Sequence, residues 1–206
     1  MLHSTRHVYL ASRSARRREL LKQIGVSFEI LLLREGQGRP ADFDETPLPG
    51  EAAVDYVQRV ATAKVDAGWA RLSQRRLMRF PVLSADTTVA VESEILGKPA
   101  DREQAVAFLR RLSGKVHQVH TAVAVKFDQQ AETAVSSTDV EFRQLTESEI
   151  RQYVASGEPL DKAGGYAIQG RGAVFIRSIS GSYTGVMGLP LFETSQLLAR
   201  FGHSTV

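Results

Sequence analysis

The 206-residue sequence predicts an α/β layered fold. Short runs rich in Val and Thr alternate with segments of helical periodicity, and capping residues sit at the joins. A chain of this length also buries a substantial core, so one domain over residues 1–206 is expected.

The elements follow in order. Val8 to Ala11 reads as a strand. Ser12-Arg13-Ser14 is a turn with two N-cap candidates, and Ala15 to Ile24 a helix with Leu20, Leu21 and Ile24 on one face. Gly25 ends it, and Val26 to Leu33 reads as a second strand. Arg34 to Pro49, polar and rich in Gly, Pro and Asp, is a loop. Glu51 to Trp69 carries Val54, Val57, Ala61 and Val65 near helical spacing, and Arg71 to Arg79 is a basic connector, helical at most at its start.

Pro81 to Asp86 is an apolar strand that Thr88 to Ile95 extends or pairs with. Asp101-Arg102-Glu103-Gln104 resembles a capping box opening a helix through Leu112, closed by Ser113-Gly114. Val116 to Phe127 and Ala134 to Phe142 alternate as two strands joined by a polar turn. Thr146 to Glu149 forms a capping box for a helix ending near Ser156-Gly157. Lys162 to Gly172 is glycine-rich, Ala173 to Ile179 a strand, and Pro190 starts a last helix through Phe201.

Composition removes several chemistries. With no cysteine, disulfides, thiolate catalysis and Cys-based zinc sites are excluded. A formal charge of +3 is too small for a nucleic-acid coat protein, so where the bases cluster matters more than their number. Met1 to Val8 has no apolar core of a secretory signal, and no run approaches the roughly 20 apolar residues of a membrane span. The expectation is a soluble cytoplasmic protein.

Three segments could carry chemistry. Leu83-Ser84-Ala85-Asp86-Thr87-Thr88 ends a strand on a lone carboxylate, followed downstream by a lysine locked in Gly97-Lys98-Pro99. One acid for a divalent cation and bases for phosphates is the chemistry of nucleotide hydrolysis. Ser12 to Arg18 lies at a strand-to-helix junction, where unpaired N–H groups, serines and arginines suit an anion. A capped surface helix with solvated arginines fits that segment equally well. In Gly164 to Gly170 glycines allow close approach of a ligand, and Gln169 offers donor and acceptor to a base edge, although a tight surface turn is the commoner meaning.

Glu45 in the acidic run Asp42 to Glu45, and Arg59 and Lys64 on one helix, are further charges whose commonest role is solvent exposure. His117 and His120, three apart in a strand, face opposite sides and cannot share a metal. No Gly-x-Ser-x-Gly elbow, Walker loop or dinucleotide fingerprint is present.

Taken jointly, these segments resemble the Maf family of nucleoside triphosphate pyrophosphatases over nearly the whole chain. The family's Leu-Ala-Ser-x-Ser-x-Arg-Arg is Leu10 to Arg17, its Ala-Asp-Thr is Ala85 to Thr87 and its Gly-Lys-Pro is Gly97 to Pro99. Its Asp-Lys-Ala-Gly-x-Tyr-x-Ile-Gln-Gly is Asp161 to Gly170. Its Gly-Ser-Tyr and Gly-Leu-Pro-Leu fall within Gly181 to Leu191. Departures are Ala15 where a proline is usual, a lengthened loop from Arg34 to Pro49 and the basic connector from Arg71.

The resemblance implies an elongated mixed β-sheet flanked by helices, with two lobes and a cleft, as in inosine triphosphate pyrophosphatases. It implies hydrolysis of a nucleoside triphosphate to monophosphate and pyrophosphate with Mg²⁺ or Mn²⁺. The Ala-Asp-Thr form is similar to the branch acting on dTTP and UTP. By matching positions Asp86 is the catalytic acid/base, supported by Lys98 and Glu45, with Asp86 and Glu45 as metal ligands. Ser12, Ser14, Arg16, Arg17, Lys64, Thr87 and Gln169 would bind substrate, with Arg16, Thr87 and Gln169 setting selectivity. A homodimer is compatible with the resemblance, although no heptad or interface stripe supports it. The competing readings are a pyrophosphatase for modified purine nucleotides (7-methyl-GTP or ITP type), and a non-catalytic nucleotide- or nucleic-acid-binding regulator using Arg13 to Arg18 and Arg71 to Arg79.

Overall fold

The computed structural model describes residues 7–34 and 40–205. The expectation of no leader at the N-terminus and the middle of the predicted loop, residues 35–39, fall largely or wholly outside them. Among the described residues, seven strands form one mixed sheet: β1 (His7–Leu10), β2 (Ser27–Ile30), β3 (Val82–Val91), β4 (Glu94–Leu96), β5 (Val116–Phe127), β6 (Gln130–Phe142) and β7 (Ile176–Ser180). The order is β2-β1-β3-β5-β6-β7, with β4 also on β3. β1 runs parallel to β2 and β3, and the other pairs are antiparallel.

Helices cover both faces: α1 (Ala15–Gln23), α2 (Ala53–Gln74), α3 (Arg102–Leu112), α4 (Glu147–Ala155), α5 (Tyr183–Met187) and α6 (Leu191–Arg200). Strand alternation sorts their cores. Val8, Leu10, Leu83, Ala85, Val123 and Val125 pack against Leu20 and Leu21 of α1 and Leu197 and Leu198 of α6. On the opposite face Tyr9, Val82, Ala122 and Ala124 pack against Val57, Ala61, Val65 and Leu72 of α2. Further along the same long strands Val89, Val91, Val119 and Phe142 make a second lobe with α3 and α4. Strand β3 therefore passes from one lobe to the other, and Asp86 to Thr88 lie at the crossing.

Local departures from the sequence reading have physical causes. Helix α2 continues to Gln74, through part of the basic connector, because Arg71 is held by Asp42 and the Leu32 carbonyl. Asp128 takes a left-handed φ of 55°, closing a tight turn so that β6 begins at Gln130 rather than Ala134. Residues 171–175 form a 3-10 turn instead of strand: the Glu158 carboxylate accepts from the Arg171 and Gly172 N–H groups at 3.0 and 3.3 Å. Asp101 caps α3, but Gln104 accepts from the Ala100 N–H, so that box is not reciprocal. At Thr146 it is. Pro190 is the N-cap of α6, one position before its expected place.

Candidate active site

The site begins with a gap in a ladder. β1 pairs with β3 at Tyr9↔Val82 and Leu10↔Leu83, and β4 pairs with it only from Val89↔Leu96. Between them residues 84–88 keep their β5 partners on one side and, among the described residues, pair with no strand on the other. A crevice where strands part is a recurrent ligand site in α/β sheets. Here it is a cleft of about 820 Å³, lined among others by Ser12, Ser14, Arg16, Arg17, Glu45, Lys64, Asp86, Thr87, Lys98 and Gln169. Every residue that the resemblance assigns to the site lines the same cavity.

Strand alternation divides the cleft. On one side of β3 is Asp86, 8% exposed, whose Oδ1 accepts from Lys64 Nζ at 2.7 Å. Glu45 Oε1 lies 2.5 Å from the same ammonium, and the Phe43 ring lies 5.1 Å from it. Lys64 reaches that point because α2 lies unusually close to the sheet. One turn on, a Cβ at Gly68 would stand 2.8 Å from Val82 Cγ1. The Ser84 hydroxyl donates to the Ala61 carbonyl at 2.7 Å, fixing helix to strand.

Glu45 is exposed but not adrift. The Tyr56 hydroxyl donates to its carbonyl at 3.0 Å, and Arg59 donates to the Thr46 carbonyl at 2.9 Å while gripping Glu51 through Nε and Nη2 at 2.6 and 2.8 Å. Burial pushes the Glu45 carboxyl upward. The Lys64 charge and hydrogen bond, with Lys98 and Arg17, outweigh it and hold the group below the usual carboxylate range. Burial first, then the charges of Asp86 and Glu45, raise the Tyr56 phenol, so it stays a neutral donor.

On the other side of β3, Thr87 faces the N-terminus of α1. The Ser14 hydroxyl caps that helix at the Arg17 N–H, 3.4 Å away. The Arg17 guanidinium donates to the Gly188 carbonyl at 2.7 Å, Ser12 Oγ at 3.3 Å and Thr87 Oγ1 at 3.2 Å. Burial lowers its pKa and the Asp86 charge opposes that. Three of its five N–H groups are thus committed within the protein. Arg16, Lys98 and Gln169 differ: among the described residues no ion pair or hydrogen bond engages their side-chain polar groups. Gln169 is carried by a turn packed on β3, where Gly164 has φ +68° and a Cβ would meet the Val89 side chain at 2.7–3.0 Å.

Sequence reasoning missed the parts played by Tyr56, Phe43 and the Gly188 carbonyl: Tyr56 lies in no motif, Phe43 is an apolar residue inside the acidic run, and Gly188 acts through its backbone oxygen. Arg59 serves the loop and not the cleft. His117 and His120 do face opposite ways: His117 Nε2 is 2.8 Å from the Tyr166 hydroxyl, and His120 Nδ1 is 2.8 Å from Ser137 Oγ.

The profile of the family described as Maf-like protein matches residues 7–201. This chain belongs to the Maf family. Among its Maf relatives, the dTTP/UTP pyrophosphatase of Nitrosomonas europaea is 59% identical over 197 residues, covering 96% of this chain and 95% of that one. Those of Aromatoleum aromaticum and Dechloromonas aromatica are 56% and 54% identical, covering 95% of this chain and 96% and 97% of theirs. Among solved structures, the Staphylococcus aureus Ham1 protein aligns over 66% of this chain and 71% of its own at 15% identity and a TM-score of 0.46.

Proposed function

We propose that this Maf-family chain, acting as one domain, hydrolyses dTTP and UTP to the monophosphate and pyrophosphate in the cytoplasmic nucleotide pool. The observation that carries it is the buried Asp86, held by Lys64 beside Glu45 and facing uncommitted Arg16 and Lys98 across one cleft. The names of relatives at 54–59% identity support the substrate.

A triphosphate brings roughly three to four negative charges. Arg16, Lys98, the α1 N-terminus and Lys64 offset them, the arginine as a planar fork and the lysines as point charges. Asp86 orients a water in line with the α-phosphorus and takes its proton. The new P–O bond forms as the bond to the β-phosphate bridge oxygen breaks, and pyrophosphate leaves against the basic groups.

A divalent cation fits this donor set. Two carboxylates already converge on one cation, Lys64 Nζ, and Mg²⁺ takes one or two carboxylates with substrate phosphates completing its shell. Asp86 and Glu45 would hold it, and the chemistry it supplies is charge neutralisation on the phosphates. Pyrophosphate release from dTTP, UTP, CTP, ITP and 7-methyl-GTP, with Mg²⁺ or Mn²⁺ and with chelator, tests the reading. Release is expected from dTTP and UTP and lost on chelation. A purine preference overturns the substrate. Failure with every triphosphate, alongside salt-sensitive nucleic-acid binding, favours the regulator.

A further inference from the structure

Glu45 stands on a stretch of chain with few ties of its own. From Asp42 to Glu51, among the described residues, backbone-to-backbone hydrogen bonds stay inside the loop: the Asp42 N–H donates to the Arg34 carbonyl and the Glu51 N–H to the Leu48 carbonyl. Pro47 and Pro49 have no N–H to give. Phe43 packs on the α2 core and anchors the upstream side. Lys64 Nζ meets Glu45 at 2.5 Å, but it is shared with Asp86, and the Glu45 side chain is 45% exposed. An ion pair so open to water does not fix a loop alone.

On the downstream side one side chain of α2 closes the loop. Arg59 Nε and Nη2 donate to the two Glu51 oxygens at 2.6 and 2.8 Å, and Nη2 donates also to the carbonyl of Thr46, the residue after Glu45, at 2.9 Å. Glu51 Oε2 in turn accepts from the Leu48 N–H at 3.0 Å. Both ends of the turn from Thr46 to Glu51 therefore meet on one guanidinium, whose planar fork a lysine cannot reproduce. The grip is sheltered, since the Glu51 side chain is 8% exposed. The guanidinium also lies 5.6 Å from the Tyr56 ring, whose hydroxyl donates to the Glu45 carbonyl. Arg59 itself does not line the cleft.

We propose that Arg59 is a positioning residue, presetting the Glu45 carboxylate beside Asp86 from outside the cleft through Glu51 and the Thr46 carbonyl. This rests on the part given to Glu45 in the reading above and adds the residue on which its placement depends. Without the guanidinium, the sheltered Glu51 carboxylate loses its counter-charge and turns to water, and Thr46 is released with it. Glu45 then meets Asp86 in only a fraction of the loop's arrangements. A group that must be gathered again at each turnover slows the reaction. The helix does not depend on Arg59, because Val57, Ala61 and Val65 bind it to the sheet.

The test is a double-mutant cycle on kcat/KM for dTTP, with Arg59→Met and Glu45→Gln singly and together. Arg59→Met is expected to lower kcat/KM by about tenfold in the parent and by less than about twofold once Glu45 is Gln. A merely structural role would lower both backgrounds alike, and that outcome overturns the proposal. Should Arg59→Met not fold, Arg59→Lys keeps stem and charge without the fork, and about threefold in the parent alone is expected. A second arm needs no turnover. The chain has no cysteine, so Leu48→Cys, at a position more than half exposed, takes a single nitroxide label. Its electron paramagnetic resonance lines should narrow when Arg59 is replaced, and an unchanged spectrum also overturns the proposal. A wild type that releases pyrophosphate from neither dTTP nor UTP strikes the functional reading instead, and the nitroxide spectra then still decide whether Arg59 places the loop.

Discussion

Asp86 is the residue on which the chemistry turns, and its surroundings allow its charge to be removed without losing the fold. Asn at this position still accepts a hydrogen bond from Lys64, and Lys64 keeps Glu45 as a counter-charge. Asp86→Asn should therefore leave the circular dichroism spectrum intact and lower kcat by about 10²–10⁴, read by pyrophosphate release. Near wild-type turnover would remove Asp86 from its role. The carboxylate was legible in the sequence because a lone acid between small residues in an apolar strand has few structural uses, although it lies in the middle of β3 and not at the strand end expected. Tyr56 was not, because its importance comes from a partner 11 residues away that only the folded chain brings near. Arg17 was legible as a cleft residue, but its commitment to Gly188, 171 residues on, was not.

At the scale of elements, the closeness of α2 to the sheet determines whether Lys64 reaches the carboxylates. Gly68 permits that closeness, and a larger side chain there would push the helix away from Val82. Gly68→Val is expected to cost about 1–3 kcal/mol of stability by overpacking. Because it moves Lys64 as well, kcat should fall with it, measured by denaturant titration alongside steady-state kinetics. Full activity with unchanged stability would refute the claim. Most elements were readable from periodicity and capping, the box at Thr146 most clearly. Helix α5, five residues long, has too few positions to show a period. The start of β7 was misplaced because Glu158 bends residues 171–175 through backbone bonds that leave no trace in composition.

At the scale of the molecule, the second lobe holds one source of acid sensitivity. Burial pushes the His117 imidazole down to about 4, amid Phe142 and Tyr166. Between pH 6.5 and 4 the unfolded chain takes up a proton at His117 that the native state refuses, so stability is lost as pH falls through that window. The contribution is about 3 kcal/mol. Burial lowers His120 and His203 as well, with the same sign. His117→Gln cannot titrate, so it should lose less stability than the wild type between pH 7 and 5, read by urea unfolding. Equal losses would place the sensitivity elsewhere. The two-lobe arrangement was expected from family resemblance; alternation alone gave the layers and could not say where they part.

The bare stretch of β3 has one more consequence. A strand flank without a neighbour invites a foreign strand, which is how many sheet proteins come to aggregate. Here the approach is bordered by Arg16 and Lys98, which a peptide backbone has no charge to satisfy. Cations suited to drawing in a polyanion thus also bar entry to another polypeptide along this stretch of β3.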